Sequence, residues 1–266
     1  MSLAPIRIAV DSLLCGFTAK PRDWTSDSPS ARYFDMVRAT GICVVENFAS
    51  TDACRAIHDE VVRVQERYPD AVTRRSNGAD LRTFGADKAS ETIQQFGSNP
   101  YLQKLAIACL GKNAVNAFTL AATIRYTPDN QGSGEGWHRD SFVGQFKAIL
   151  YLTDVTEDTG PFEYILDSHG LLSKYQDNRI YDVPLHTTRI RDETVEEIIR
   201  REPKRHKVAT GPAGSLVIAD TTGIHRGRPL RSGNRAALTN YYFKADQLTL
   251  GFVDHFRPVI GIHVAI

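Results

Sequence analysis

The sequence predicts an α+β fold with a closed or double-sheet β core, such as a jelly roll. Two observations carry this expectation. Helix caps and amphipathic spacing concentrate ahead of Gly111, and from about Ala117 short strands separated by turn residues take over. No internal repeat is visible.

Taken in order, Ile6 to Val10 reads as a short β-like piece, and Pro21 to Pro29, rich in Pro, Ser and Asp, as a loop or linker. Arg32 to Arg38 suits a short helix. Gly41 to Phe48 carries the β-branched run of a buried strand. Ser50 and Thr51 can cap a helix to about Tyr68, with Ile57, Val61 and Val64 on one face. Asn99-Pro100 opens a second helix, and Gly111 closes it. The polar stretch between them, Val72 to Gly97, reads as a lid or substrate loop carrying Arg74, Arg75, Arg82 and Phe84, or as a solvated connection. Phe118 to Tyr126 alternates as a strand and runs into the turn Thr127 to Gly132. Further strands are expected at Gln145 to Val155, Gly160 to Leu166, Ser215 to Ala219 and Arg235 to Phe243. The excursion Gly170 to Pro212 holds a helix, Asp192 to Arg201, and ends in the basic cluster Lys204 to Lys207. That cluster is a solvated face or a hold on an anionic substrate. The apolar tail Leu248 to Ile266, with Phe252 and Phe256, packs on the domain or makes a protein contact.

The 266 residues suffice for one large β domain with helical additions, or for two small domains. A formal net charge of +1 makes no case for nucleic acid or a membrane surface as partner. Cys15, Cys43, Cys54 and Cys109 form no Cys-x-x-Cys pair, so a reducing compartment without disulfides is expected. Met1 to Ala19 lacks a basic n-region and a continuous apolar h-region, so the cytoplasm is the default location.

The chemistry centres on Gly136-Trp137-His138-Arg139-Asp140. On an extended chain, residues i and i+2 point to one side, so His138 and Asp140 converge. An imidazole and a carboxylate are two thirds of the 2-His-1-carboxylate triad that binds non-haem Fe(II) on one face. The downstream candidates for the third ligand are His169, His186, His206, His225, His255 and His263. His225 has the best context, because it follows a strand and the turn Thr221-Thr222-Gly223. Arg235 leads the next strand across a Ser232-Gly233-Asn234 turn, and its fork of donors suits a carboxylate. Arg228 and Arg231 fall in the connection before that strand and read as surface residues. Trp137 reads as a packed neighbour of the ligand.

These residues, with Gly160-Pro161, Ser168-His169-Gly170 and His225-Arg226-Gly227, resemble the phytanoyl-CoA dioxygenase family over roughly residues 32 to 245. The buried strand and capped helix near the start resemble that family's opening. The resemblance implies a double-stranded β-helix (jelly roll, cupin-like) core with N-terminal helices packed on one sheet. It implies a single domain over 1–266, with residues 1–30 as an extension and 170–212 as an insertion between core strands. His138, Asp140 and His225 would bind Fe(II). Arg235 would hold the distal carboxylate of 2-oxoglutarate, and Tyr151 would stand beside that co-substrate or pack in the core. O2 is then the third reactant, ascorbate a reductant, and succinate and CO2 the co-products. Related iron halogenases have a small residue where Asp140 stands, so hydroxylation is the expected outcome. Desaturation, epimerisation and ring formation use the same oxidant. The expected substrate is a polar or anionic small molecule, met by Arg82, Lys174, Tyr175, Arg179 and Tyr181. The competing class is a non-oxygenase metal-binding β-sandwich, either a cupin-like isomerase or an inert binding module. Such a protein has no need of Arg235.

Overall fold

The computed structural model describes residues 29–75, 78–142, 144–185, 187–249, 256 and 258–260. The expected pieces Ile6 to Val10 and Pro21 to Ser28, the candidates His186, His255 and His263, and most of the tail lie outside these residues.

Helix α1 (Pro29–Thr40) is longer than its amphipathic segment and leads into strand β1 (Ile42–Val45). Helix α2 (Thr51–Arg67) starts where Ser50 Oγ accepts from the Ala53 N–H at 3.2 Å. The stretch Val72 to Gly97 is regular structure rather than a loop, and its Arg75, Arg82 and Phe84 line a cavity. Strands β2 (Val72–Arg75) and β3 (Asp80–Phe84) form an antiparallel hairpin, and helix α3 (Glu91–Gly97) follows. The hairpin hides from an apolar alternation because its inward side chains include a buried ion pair, Arg82 Nη2 to Asp80 Oδ2 at 2.6 Å. Helix α4 (Pro100–Leu110) is capped by Asn99, whose side-chain oxygen accepts from Tyr101 N at 3.0 Å and Leu102 N at 3.2 Å. It ends at Gly111, whose φ of +107° favours glycine.

Strands β4 (Ala114–Arg125), β5 (Phe146–Tyr151) and β6 (Phe162–Ile165) come next, then helices α5 (Leu171–Tyr181) and α6 (Asp192–Arg201). Helix α5 gave no amphipathic signal because its buried side is polar, with Ser173, Lys174 and Asp177. Strands β7 (His206–Ala209), β8 (Leu216–Asp220), β9 (His225–Gly227) and β10 (Asn234–Lys244) complete the chain. The excursion thus closes on a strand of the core. Its basic cluster divides: Arg205 pairs with Asp177 at 2.8 Å and His206 with Glu163 at 2.8 Å, whereas Lys204 and Lys207 are exposed on a solvated face.

The large sheet runs β1-β8-β5-β10-β4-β3-β2 and the small sheet β7-β6-β9, with antiparallel neighbours throughout. This is the jelly-roll arrangement. Alternation along each strand divides the large sheet's two faces. Phe146, Ala148 and Leu150 of β5 and Leu238 and Tyr242 of β10 pack against α2, α3 and α4 in the main apolar core. Each such fully buried side chain contributes roughly 1.5–3 kcal/mol. The opposite face turns Lys147, Ile149 and Tyr151 of β5 and Arg235 and Tyr241 of β10 towards an internal cavity. Tyr151 ties the sheets together: its hydroxyl donates to Ala209 O on β7 (2.9 Å) and accepts from Phe162 N on β6 (3.2 Å).

Candidate metal centre and its cavity

His138 and His225 are locked together by their backbones. Each N–H donates to the other's carbonyl at 2.9 Å, an isolated antiparallel bridge. The Asp140 N–H donates to Thr221 O at 3.0 Å, which holds the third residue to the same turn. Residues 138–140 are not a regular strand, yet the i, i+2 convergence holds. Arg139 between them points the other way, with Nη1 donating to Ser168 O (2.5 Å) and Thr222 O (2.7 Å). Burial pushes its guanidinium down to about 10.

The three side chains meet. His138 Nε2 lies 3.6 Å from Asp140 Oδ1, and His225 Nε2 lies 3.6 Å from Asp140 Oδ2. All three donor atoms fall within 4.8 Å of one another. Each Nδ1 sits 2.9 Å from a backbone carbonyl, Gly136 O for His138 and Gly223 O for His225. A carbonyl can only accept, so each Nδ1 carries the proton and each Nε2 keeps its lone pair. His225 Nε2 is buried and has no hydrogen-bond partner among the described residues. An orphaned donor atom of this kind, facing a carboxylate and a second imidazole, fits a divalent metal. Burial, then His138, push the His225 imidazole down to about 3, so it stays neutral at ordinary pH. Burial alone would raise the Asp140 carboxyl, but Lys147, 2.6 Å from its Oδ2, and the two histidines hold it well below the usual range. Gly134 (φ +93°) must lack a side chain, because a Cβ there would collide with the His138 ring.

The donor atoms open into a cavity of about 610 Å³, within the range of roughly 300–1,000 Å³ that serves small-molecule sites. Arg235 lines it from the start of β10, buried, with Nη1 donating to Gly160 O. Tyr151 lines it nearby, and burial pushes its phenol up, so it stays protonated. Arg82 also lines the cavity, from β3 rather than from a lid. Lys174, Tyr175, Arg179 and Tyr181 sit on α5 and are not among the described residues that line it. His169 lies elsewhere, with Nε2 3.1 Å from Arg38 O, and His206 is held by Glu163. Arg228 is not a surface residue: its Nη2 reaches the buried Glu163 at 2.7 Å. Trp137 is packed, with the Arg226 guanidinium 4.4 Å above its ring. Lys147 escaped the sequence reading. Its signal was one lysine inside the apolar run Phe146 to Leu152.

A sequence model of the family described as phytanoyl-CoA dioxygenase matches residues 37–237. Curated proteins gave no match by sequence. Among solved structures, EctD from S. alaskensis with bound Fe is 16% identical, with a TM-score of 0.63, covering 85% of this chain and 81% of that one. The epimerase SnoN from nogalamycin biosynthesis, in complex with Fe3+, alpha ketoglutarate and nogalamycin RO, is 16% identical (TM-score 0.60, 81% and 84% covered). HygX from Streptomyces hygroscopicus, with nickel and 2-oxoglutarate bound, is 13% identical (TM-score 0.55, 80% and 87% covered). At these identities the likeness shows the fold.

Proposed function

The chain belongs to the phytanoyl-CoA dioxygenase family, and from that premise we propose that it is an Fe(II)- and 2-oxoglutarate-dependent oxygenase that hydroxylates a polar or anionic small molecule. The observation that carries the reading is the buried, unpartnered Nε2 of His225, facing Asp140 with His138 alongside. His138, Asp140 and His225 hold the metal on one side and leave the cavity side for reactants. Fe(II) bound there, with 2-oxoglutarate and O2, supplies C–H oxidation coupled to decarboxylation: one oxygen atom goes to the substrate and the other to succinate, with loss of CO2.

The chain's own side chains do the rest. Both imidazoles are presented in the metal-ready tautomer by carbonyl acceptors. Asp140 stays ionised. Arg235 offers the remainder of its fork to the distal carboxylate of 2-oxoglutarate, and Tyr151 walls that end. Residues 1–266 then act as one oxygenase domain. No described helix is long and apolar enough to cross a membrane. Cys43, Cys54 and Cys109 are free thiols, which suits the cytoplasmic setting of this proposal.

The test is succinate formation from 2-oxoglutarate with Fe(II) and ascorbate, followed by oxygen-isotope analysis of the product. Iron-dependent succinate is expected from wild type and only background from His225→Ala and Arg235→Ala. Incorporation of one atom from O2 separates hydroxylation from epimerisation or ring closure. A wild type that binds neither metal nor 2-oxoglutarate ends this reading.

A further inference from the structure

Lys147 is the cavity's unexplained charge. It stands on β5 with its side chain only 9% exposed. Its Nζ lies 2.6 Å from Asp140 Oδ2 and 4.3 Å above the Tyr241 ring. The other cations of the lining are accounted for. Arg82 is neutralised by Asp80 at 2.6 Å, and Arg75 by Glu135 at 3.1 Å. Arg139 points away towards carbonyls, and Arg189 is exposed at the mouth.

The loaded site, on the reading proposed above, leaves one charge over. Fe(II) and the 2-oxoglutarate dianion cancel. Asp140 cancels Arg235 or Lys147, but not both. A buried cation without a full counter-charge is costly, so an anionic group on the remaining reactant is the better match for this site. Lys147 is where that anion fits, because Asp140 shares its charge with the metal once metal is bound. The wall beside Lys147 is apolar and aromatic, with Phe84, Leu120, Tyr241 and Phe256.

We propose that Lys147 anchors an anionic group of the substrate, a carboxylate or an oxyanion of similar size, with an apolar body lying along the aromatic wall. This deepens the oxygenase reading and rests on it. The ammonium contacts Asp140 Oδ2 at 2.6 Å, so the anchored group would lie beside the three residues that would hold the metal.

The experiment is calorimetric binding of straight-chain carboxylates, from acetate to octanoate, each against its primary amide. Protein is saturated with Mn(II) and 2-oxoglutarate in every case, so the acid-to-amide ratio does not depend on how a substitution alters their affinity. In wild type the best acid is expected to bind about tenfold or more tighter than its amide, as for a charge-assisted contact. The preference is expected to collapse in Lys147→Met and to persist in Lys147→Arg. Should Lys147→Met fold poorly by circular dichroism, Lys147→Gln, which keeps a donor to Asp140 without the charge, carries the same expectation. A wild type that prefers no acid over its amide overturns the assignment, as does a preference that survives in the neutral variants. Wild type with Mn(II) that binds no 2-oxoglutarate, seen before any acid is added, brings down the oxygenase reading itself.

Discussion

The two sheets that enclose the cavity are backed in different ways. The large sheet leans on helices through an apolar layer, in which Leu238, Phe146 and Leu150 meet residues such as Val61 and Leu105. Behind the small sheet stands a buried carboxylate, Glu163, which receives His206 (2.8 Å), Arg226 (2.6 Å) and Arg228 (2.7 Å). Ile165, on the same face of β6, packs in a small apolar cluster with Trp137, Val195, Ile198 and Ile224, and the directional charge pairs add to that cluster. The difference matters because each sheet presents a different reactive group. The large sheet carries Arg235, whereas the small sheet carries His225, one residue from Arg226.

The largest effect should come from emptying the charged backing. Glu163→Ala leaves Arg226 and His206 without their anion and Arg228 with Glu157 alone at 3.3 Å, a loss of about 3–5 kcal/mol. Because β9 carries both Arg226 and His225, metal affinity should fall with stability. Leu238→Ala costs a similar or smaller amount, about 2–5 kcal/mol, and should leave metal affinity untouched. Paired chemical denaturation and Mn(II) titration read both quantities. Equal loss of metal binding in the two variants would erase the contrast between the backings.

The next effect is acid sensitivity. Burial would raise the Glu163 carboxyl, but His206, Arg228 and Arg226 hold it down at about 2, against 4.5 for a free side chain. A depressed carboxylate stabilises the fold above its unfolded value, and that contribution drains away as pH falls from 4.5 towards 2. Melting temperatures across that window should decline in wild type, with Glu163→Gln starting lower and declining less. Parallel curves for the two proteins would place the acid sensitivity elsewhere.

The smallest effect concerns the link between the sheets. Tyr151→Phe removes a donor to β7 and an acceptor for β6, a loss on the order of 1 kcal/mol. Affinity for 2-oxoglutarate should change little, since the hydroxyl is committed to backbone groups. A large loss of 2-oxoglutarate binding would instead give Tyr151 a direct hold on the co-substrate.

Much of this was legible in the sequence. The caps at Ser50 and Asn99-Pro100 and the helix Asp192–Arg201 follow from local rules that tertiary packing leaves alone. His138, Asp140, His225, Arg235 and Tyr151 line one cavity; residue types and strand context point to the first four, whereas Tyr151 follows from the family resemblance alone. The hidden parts share one cause: each buries charge. The β2–β3 hairpin turns Asp80 and Arg82 inward, helix α5 buries Lys174 and Asp177, and β5 hides Lys147. Hydrophobic periodicity cannot register an inward-facing ion pair, because it counts every charged side chain as outward-facing, whatever it pairs with.

The backbone bridge between His138 and His225 also has a meaning for the order in which the protein forms. Two amides donating to each other's carbonyls at 2.9 Å close a loop that spans several strands and two helices. Non-local closures of this kind are late events on a folding pathway. His138 and Asp140 can come together early, but they lack their third partner until β9 docks. Metal capture therefore reports completion of the fold, and slow hydrogen exchange at those two amides would mark the same moment from the protein's side.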